Sequence, residues 1–438
     1  MSKTITAEAN PTKEFFVDMI TRDIPVDRAI LDLIDNSIDG AHRVIKSENF
    51  TGKYVNVSIN KDSFIIEDNC GGIPKNIAKD QAFVFGKPKN YQEEKHSIGR
   101  FGIGMKRALF KIGKNFVVTS HNKNFSFLLD VDVDRWVSED PWNFKLEKID
   151  NAQVHGTKIL ITNIHEGISS DFQLQYFINA LKKEVSITHS LILNKGFKIS
   201  INGENINPET FDIKYGENLT PEIKILQYKV DEKIVNIKIY AGVSSRDINK
   251  GGWNIFCNDR LIVHADKSDI TGWQYDKLPK YHPDYAYFRG YVIFDSEHAD
   301  LLPWTTTKTG LNSDSEIYKI AFFEMKKMMK NVISSLKNRA KEDTKYKNNL
   351  LDSNPLTVLI DKTPVVDFLS IKEKEVEFTC NAKEPISLDA PPAETRIQYS
   401  KLKDDIEFLQ KYIGVGSGSA VGSYTFDYFI ELARSDDE

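Results

Sequence analysis

A helix-like stretch at residues 25–46 constrains the fold of this chain most strongly. Pro25 favours a helix start there, because the amide hydrogen that it lacks would be unpaired in a first helical turn. Apolar residues recur at helical spacing and predict a buried stripe: Ile34, Ile38, Ala41 and Ile45. Asp32, Asn36 and Asp39 are four and three residues apart, so at ~100° per residue they project within one narrow sector. This polar sector is either an ordinary solvated face or a costly buried one that meets a cation.

Composition narrows the class of protein. The 438 residues are 40% hydrophobic and 28% charged, which suits two or three globular domains of about 150 residues each. No apolar run approaches the roughly 18–20 residues of a membrane span, and the N-terminal residues carry no apolar signal core. We therefore expect a cytoplasmic protein with no membrane partner. The three scattered cysteines argue against a disulfide scaffold and a cysteine-based zinc site, and a net charge of −5 leaves a local basic surface possible.

Residues 64–74, FIIEDNCGGIP, predict a strand that ends in an acid and a glycine turn. Asp68 at the strand end can accept a hydrogen bond from an exocyclic amine, and Gly71 and Gly72 let a flat ring approach the backbone. The alternative is a common Asp-Asn turn followed by glycine. Thr157, in a Gly-Thr pair that opens a later strand, offers a hydroxyl to a base or to a nearby water.

A glycine-rich segment at residues 97–113, SIGRFGIGMKRALFKIG, runs into a helix that we expect to begin near Met105. Exposed backbone amides and a helix N-terminus form a phosphate cradle, and Lys106 and Arg107 add positive charge. The segment lacks the Lys-Ser/Thr pair of a P-loop. It also lacks the leading strand and downstream acid of a dinucleotide-binding fold.

Taken in this order, the four segments resemble the GHKL ATPases, the superfamily of gyrase, the ninety-kilodalton heat-shock chaperones, histidine kinases and MutL. The resemblance covers residues 29–162 and implies an α+β fold with a Bergerat-type α/β sandwich that binds ATP and Mg²⁺. It implies a Mg²⁺ ligand at Asn36 and an adenine contact at Asp68. It implies further ATP-binding residues: Asp39, Gly72, Ile73, Gly99, Gly102, Ile103, Gly104, Met105, Lys106 and Thr157.

Two positions depart from the pattern of the family. Asp32 stands where the family usually has a glutamate as general base, and its side chain is one methylene shorter. Either Asp32 acts as the catalytic base through a shifted backbone or a second water, or the chain is a slow hydrolase that uses ATP mainly as a binding switch. Cys70 stands at a position that is usually glycine, and we interpret it as a packing residue.

In layout the chain resembles prokaryotic MORC- and MutL-like proteins. The resemblance implies an ATP-binding domain at residues 1–165, a ribosomal-protein-like transducer domain at 166–350 and a small C-terminal domain at 351–438. The segment WNIFCNDRLIVHAD resembles a strand-turn-strand hairpin of the MutL transducer. Lys308, in the loop before a long helix, resembles the catalytic lysine that this domain extends to the γ-phosphate. The alternative is one lysine among many on a solvated loop.

The same resemblance implies an ATP-dependent homodimer that closes as a clamp, with residues 74–97 as a mobile lid outside the core. Two functions remain open. The first is a clamp on duplex DNA, in repair, restriction or phage defence, which binds through the lysine-rich stretch Lys319–Lys347. A solvated amphipathic helix explains these lysines about as well. The second is a chaperone-like or partner-regulating switch without DNA binding, whose protein partner docks on the C-terminal domain. Three methionines at helical spacing predict core or dimer packing: Met325, Met328 and Met329.

Overall fold

The structure is a computed structural model, and it describes residues 11–86, 98, 103–305, 308, 310–372, 374–388 and 395–436. The chain divides into two compact units, Met1–Ile386 and Ser387–Glu438. The predicted contacts at Gly99 and Gly102 lie outside the described residues.

An eight-stranded sheet organises the first part of the larger unit. Its strands are β1 (Tyr54–Ile59), β2 (Ser63–Asp68), β3 (Gly113–Asn122), β4 (Phe125–Asp132), β5 (Glu147–Lys148), β6 (Gly156–Ile164), β7 (Lys198–Ile201) and β8 (Glu204–Asn205). Their order is β5-β4-β3-β6-β2-β1-β7-β8. Alternate side chains of β1, Val55, Val57 and Ile59, are buried, as expected for a strand with one face on a core. The strand that the sequence predicted to end at Asp68 is β2, and the later strand that the Gly-Thr pair opens is β6.

Helices accompany this sheet. They are α1 (Lys13–Arg22), α2 (Val26–Val44), α3 (Lys75–Ile77), α4 (Gly104–Ile112), α5 (Val133–Ser138), α6 (Glu166–Phe172), α7 (Gln175–Thr188) and α8 (Ser190–Asn194). The apolar stripe of α2 is confirmed for Ile34, Ile38 and Ala41, which are fully buried, whereas Ile45 follows the end of the helix and is half-buried. α2 also packs along α4, and this contact brings the polar side of α2 to the start of α4.

The eight-stranded sheet continues beyond residue 165, where the sequence predicted the first domain to end. β7 pairs in parallel with β1, with Val55 opposite Ile199, and β8 pairs with β7. A parallel neighbour requires a long crossover, and helices α6 to α8 provide it. The sheet therefore extends past the predicted boundary as far as β8, through a pairing of distant strands that local periodicity does not reveal.

Part of the predicted lid lies in the core. Ala78 and Phe83 are 1% and 8% exposed. The ring of Phe85 lies 4.8 Å from that of Phe16. The expectation that residues 74–97 lie outside the core is wrong for this first part, because its aromatic side chains fill a gap beside α1 and α4. Residues 87–97 are not among the described residues.

A five-stranded sheet organises the second part of the larger unit. Its strands are β11 (Glu222–Val230), β12 (Lys233–Val243), β13 (Gly252–Cys257), β14 (Arg260–Asp266) and β15 (Phe288–Asp295), in the order β11-β12-β15-β13-β14. The long helix α9 (Glu316–Lys347) packs on this sheet. The methionine stripe of α9 is buried in the core of this unit: Met325, Met328 and Met329 are each 0% exposed.

Residues 355–380 belong to the larger unit, and short strands within them pair with strands from earlier in the chain. β16 (Val365–Asp367) pairs with β9 (Asp212–Lys214), and β17 (Thr379–Cys380) pairs with β10 (Leu219–Thr220), while α10 (Pro355–Lys362) precedes them. The compact-unit boundary at Ile386 therefore differs from the C-terminal boundary predicted at residue 351. The smaller unit contains α11 (Lys403–Ile413) and α12 (Gly418–Asp436). Among the described residues, no helix is long and apolar enough to cross a membrane.

Candidate functional site

Helix α2 carries four polar side chains on the side where α4 packs. Asp32, Asp35 and Asp39 are 3%, 0% and 6% exposed, and Asn36 is half-buried. The solvated alternative for this polar face is therefore wrong. Buried carboxylates require partners, because an unpaired buried charge is strongly unfavourable.

Asp35 is the centre of a buried charge cluster. Its Oδ1 accepts hydrogen bonds from Nε2 of His189 and from Nε of Arg260, each at 3.0 Å. Its Oδ2 accepts from Nζ of Lys308 at 2.7 Å. His189 lies immediately before α8, Arg260 is the first residue of β14, and Lys308 lies in the loop before α9. The cluster therefore links the part of the larger unit that contains the eight-stranded sheet to the part that contains the five-stranded sheet.

Asp32 joins the same cluster through both of its carboxylate oxygens. Nζ of Lys308 donates to Oδ1 at 3.1 Å, and Nη2 of Arg107 donates to Oδ2 at 2.7 Å. Lys308 is 7% exposed, so the alternative of a lysine on a solvated loop is wrong. The residue predicted as catalytic lysine and the residue predicted as base are thus in direct contact.

Charge and burial act in opposite directions on these groups. Burial alone would raise the pKa of Asp35, but Arg260 and Lys308 hold it well below its ordinary value. Burial also opposes the charge on Lys308, yet Asp32 and Asp35 together raise its pKa above the usual lysine value. Burial lowers the pKa of His189, which keeps the imidazole neutral at pH 7.

Three permanent cations therefore face two carboxylates in this cluster: Arg107, Arg260 and Lys308 against Asp32 and Asp35. Three polar atoms in or beside it have no hydrogen-bond partner among the described residues: Nε of Arg107, Nδ2 of Asn36 and Nδ1 of His189. A buried site with surplus positive charge and unsatisfied donors is suited to an anionic ligand.

Asp68 forms a second polar centre at the end of β2. Its Oδ1 accepts from the amides of Cys70 and Thr157 at 2.8 and 3.2 Å, and its Oδ2 accepts from the Ser37 hydroxyl at 2.8 Å. Ser37 belongs to α2, so α2 connects the two polar centres. Burial raises the pKa of Asp68 above its usual value.

Close backbone approaches surround Asp68. Gly72 has φ of 66°, and a Cβ there would lie 2.2 Å from the main-chain oxygen of His121. A Cβ at Gly156 would lie 1.8 Å from the main-chain oxygen of Asp68. These glycines are required because no side chain fits between the strands at this point.

Ile73 and Thr157 are connected through a serine. The amide of Ile73 donates to Oγ of Ser120 at 2.8 Å, and that hydroxyl lies 3.2 Å from Oγ1 of Thr157. Thr157 also donates its amide to Asp68, so the chain of contacts runs from Asp68 through Thr157 and Ser120 to Ile73. Cys70 is 2% exposed and burial raises the pKa of its thiol, which agrees with its interpretation as a packing residue.

The start of α4 touches the charge cluster. A Cβ at Gly104, the first residue of α4, would lie 3.1 Å from Oδ2 of Asp32. Ile103 precedes the helix and Met105 follows Gly104, and both are half-buried. Asp39 reaches the same glycine segment, because its Oδ1 accepts from the amide of Ile98 at 2.7 Å.

Lys106 points away from the cluster. Its Nζ donates to the main-chain oxygens of Gln81 and Ala82 at 3.4 and 2.9 Å, and burial lowers its pKa to about 7. Its neighbour Arg107 contacts Asp32 instead. The positive charge that the structure brings beside Asp32 from α4 is therefore that of Arg107.

Sequence reasoning missed four members of the cluster: Asp35, Arg107 as an ion-pair partner, His189 and Arg260. Asp35 immediately precedes Asn36, and Arg260 lies in the hairpin segment WNIFCNDRLIVHAD, so both could have been singled out. No local signal marks His189, since it lies 154 residues from its partner Asp35.

A family model matches the first part of the chain. Residues 24–185 match the family of histidine kinase-, DNA gyrase B- and HSP90-like ATPases. Among curated proteins, no relative matches the chain. The family match supports the GHKL resemblance and, with it, ATP binding and hydrolysis as the general activity of this region. The matched residues include Asp32, Asn36 and Asp68 but do not extend to Arg260 or Lys308.

Proposed function

We propose that this chain binds and hydrolyses ATP between α2, the Asp68 turn and α4, and that ATP closes two copies into a clamp on duplex DNA. The observation that carries the ATP site is the buried cluster in which three cations face two carboxylates. A triphosphate supplies the missing negative charge. The matched family, whose members commonly dimerise when they bind ATP, supports the dimer.

The proposed roles follow from position. Asp68 accepts a hydrogen bond from the adenine amine, and Thr157 lies beside it because its amide donates to Oδ1 of Asp68. The N-terminus of α4, Arg107 and Lys308 bind the phosphates. Lys308, as a compact ammonium, stabilises the charge that develops on the transferred phosphoryl group.

Asn36 fits a magnesium ion that is held mainly by the phosphates. Among the described residues, no group of three or more His, Cys, Asp or Glu side chains could hold a metal ion. Mg²⁺ in nucleotide sites typically needs one or two protein oxygens besides phosphate and water, and the half-buried Asn36 amide offers one. When bound, the ion would neutralise phosphate charge.

Asp32 can act as the general base only if its oxygens are freed. Lys308 engages Oδ1 and Arg107 engages Oδ2. A phosphate that attracts Lys308 would release Oδ1 to accept a proton from the attacking water. Binding of ATP would then also free Asp32 to act as the general base. This coupling suits a slow ATPase that works as a switch.

A row of lysines on α9 supports DNA as the partner. Six exposed lysines fall within a sector of about 80° at ~100° per residue and span roughly 39 Å at 1.5 Å per residue. They are Lys319, Lys327, Lys330, Lys337, Lys341 and Lys345. This length is close to one turn of duplex DNA, about 34–36 Å. Lys326 is not part of the row, since its Nζ lies 4.4 Å from the centre of the Tyr275 ring.

The test is steady-state ATP turnover with and without duplex DNA. We expect turnover that DNA increases and that Asp32→Ala and Lys308→Ala each abolish. Reversing charge on the row should lower DNA affinity at least tenfold and flatten its salt dependence, with the substitutions K327E, K330E and K337E. The matched control makes the same charge change on exposed lysines elsewhere: K61E, K145E and K148E. Equal loss in both triple variants, or no DNA binding at low salt, would refute the clamp on DNA.

The second candidate function is a switch that acts on a protein partner. It is favoured by large exposed side chains on α11 and α12, among them Phe408, Tyr412 and Phe429, which are 68%, 81% and 66% exposed. Turnover that is indifferent to DNA but is lost in Asp32→Ala would favour this function over the clamp on DNA.

A further inference from the structure

Arg260 joins the backbone of Lys308 to the acid that holds its side chain. Nη1 of Arg260 donates to the main-chain oxygen of Lys308 at 2.9 Å, and its Nε donates to Oδ1 of Asp35 at 3.0 Å. Nζ of Lys308 donates to Oδ2 of the same carboxylate at 2.7 Å. The three residues therefore close a ring of hydrogen bonds that fixes the carbonyl, the carboxylate and the ammonium relative to one another.

Lys308 has a backbone conformation that needs support. Its φ is 55°, in the left-handed region that residues with a side chain seldom adopt. Its amide donates to the main-chain oxygen of Thr305 at 3.0 Å. Such conformations persist where surrounding contacts enforce them, and the Arg260 bond to the Lys308 carbonyl is one of these contacts.

The hairpin between β13 and β14 places Arg260 rigidly. Its two turn residues, Asn258 and Asp259, have φ of 45° and 65°, as a type I′ turn requires. Asn258 is also bonded in both directions to Ser296, its Nδ2 donating to the main-chain oxygen and its Oδ1 accepting from the amide, each at 3.0 Å. Arg260 directly follows Asp259 and is only 1% exposed. The sheet therefore fixes its position independently of its contact with Lys308.

We propose that Arg260 is a positioning residue for the ATP reaction: it sets the direction of the Lys308 ammonium without itself contacting the phosphates. This inference rests on the proposed ATPase function for its chemical consequence. It requires that loss of Arg260 disturbs Lys308 selectively. A residue with a merely structural role would disturb all buried groups of the unit alike.

The kinetic test compares two buried arginines of the same sheet. Arg260→Gln should lower kcat at least about tenfold and leave the Kd for ATP within about threefold, because Lys308 acts on the transition state. Arg289→Gln is the matched control. Arg289 is also 1% exposed, and its guanidinium donates to the main-chain oxygens of Ala286, Phe288 and Ser245. We expect it to lower the melting temperature without a selective loss of kcat.

A second measurement follows Lys308 directly and needs no turnover. Acetylation by an amine-reactive reagent, followed by mass spectrometry, should label Lys308 at least tenfold faster in Arg260→Gln than in the wild type. Lys13 and Lys214 are internal controls, since they are 5% and 4% exposed and are bonded to main-chain oxygens elsewhere. Their labelling should not change.

The outcomes separate this inference from the proposed function. Unchanged labelling of Lys308 in Arg260→Gln, or an equal increase at Lys13 and Lys214, would overturn the positioning role. So would a kcat loss as large in Arg289→Gln. If Arg260→Gln does not fold, Arg260→Lys keeps the charge beside Asp35 but not the planar fork, and the same selective labelling is expected. An inactive wild type would refute the ATPase function, whereas the labelling would still decide the role of Arg260.

Discussion

Replacing Asp35 with asparagine tests how much the buried charge cluster contributes to the stability of the fold. The substitution keeps the size of the side chain but removes the charge that faces Arg260, Lys308 and the His189 ring. Removing one partner of a fully buried ion pair typically costs about 3–5 kcal/mol, because the remaining charges are left uncompensated. With an unfolding entropy of roughly 2.1 cal/mol/K per residue over the unit Met1–Ile386, this corresponds to a melting temperature about 4–6 °C lower.

The assay is thermal unfolding of the wild type and Asp35→Asn from pH 7 down to pH 3. The pKa of Asp35 is depressed in the folded state, so its charge stabilises the fold above the unfolded pKa of about 4. That stabilisation is lost as the pH falls further, and asparagine does not titrate. The difference in melting temperature between the two proteins should therefore be constant from pH 7 to about pH 5 and should become smaller below pH 4.

Asp62→Asn is the control, since Asp62 is exposed and the change should move stability by less than about 0.5 kcal/mol. A melting temperature for Asp35→Asn equal to that of the wild type at pH 7 would refute the reasoning. A difference in melting temperature that becomes larger at acid pH would also refute the reasoning.

Three further outcomes follow from the geometry. Gly72→Ala should lower the free energy of unfolding by about 2–4 kcal/mol in urea denaturation, whereas Gly52→Ala, with φ of 90° but open space, should cost about 1 kcal/mol. Burial lowers the pKa of Lys106 to about 7 in the folded state, so the unfolded state binds more protons between pH 7 and 10. The stability of the wild type should therefore rise over this window relative to that of Lys106→Met. A difference in melting temperature that stays constant with pH would contradict the burial of Lys106. Asp68→Asn should weaken ATP binding at least tenfold by calorimetry, because the amide presents a donor to the adenine amine, while Glu67→Gln on the exposed side of β2 should bind like the wild type.

Local patterns in the sequence were sufficient for the parts of the site that lie on single elements. The spacing of Asp32, Asn36 and Asp39 places them on one face of α2, and the Asp68 strand end with its glycine turn occurs where alternation and glycine predicted it. Helical and strand periodicity depend on neighbours only a few residues away, so a single sequence contains this information.

Contacts between distant elements were decided by the tertiary structure alone. Lys106 and Arg107 are adjacent on α4 and differ by ~100° in direction, so only the rotation of α4 against α2 determines that Arg107 meets Asp32. Arg260 and Lys308 reach Asp35 across 225 and 273 residues, and no local periodicity links positions so far apart. The pairing of β7 with β1 extended the first sheet past the predicted boundary for the same reason. The sequence by itself determined which side chains lie together on each element, whereas packing of the elements determined which charges meet, because an ion pair forms between surfaces whose relative rotation is set by the whole core.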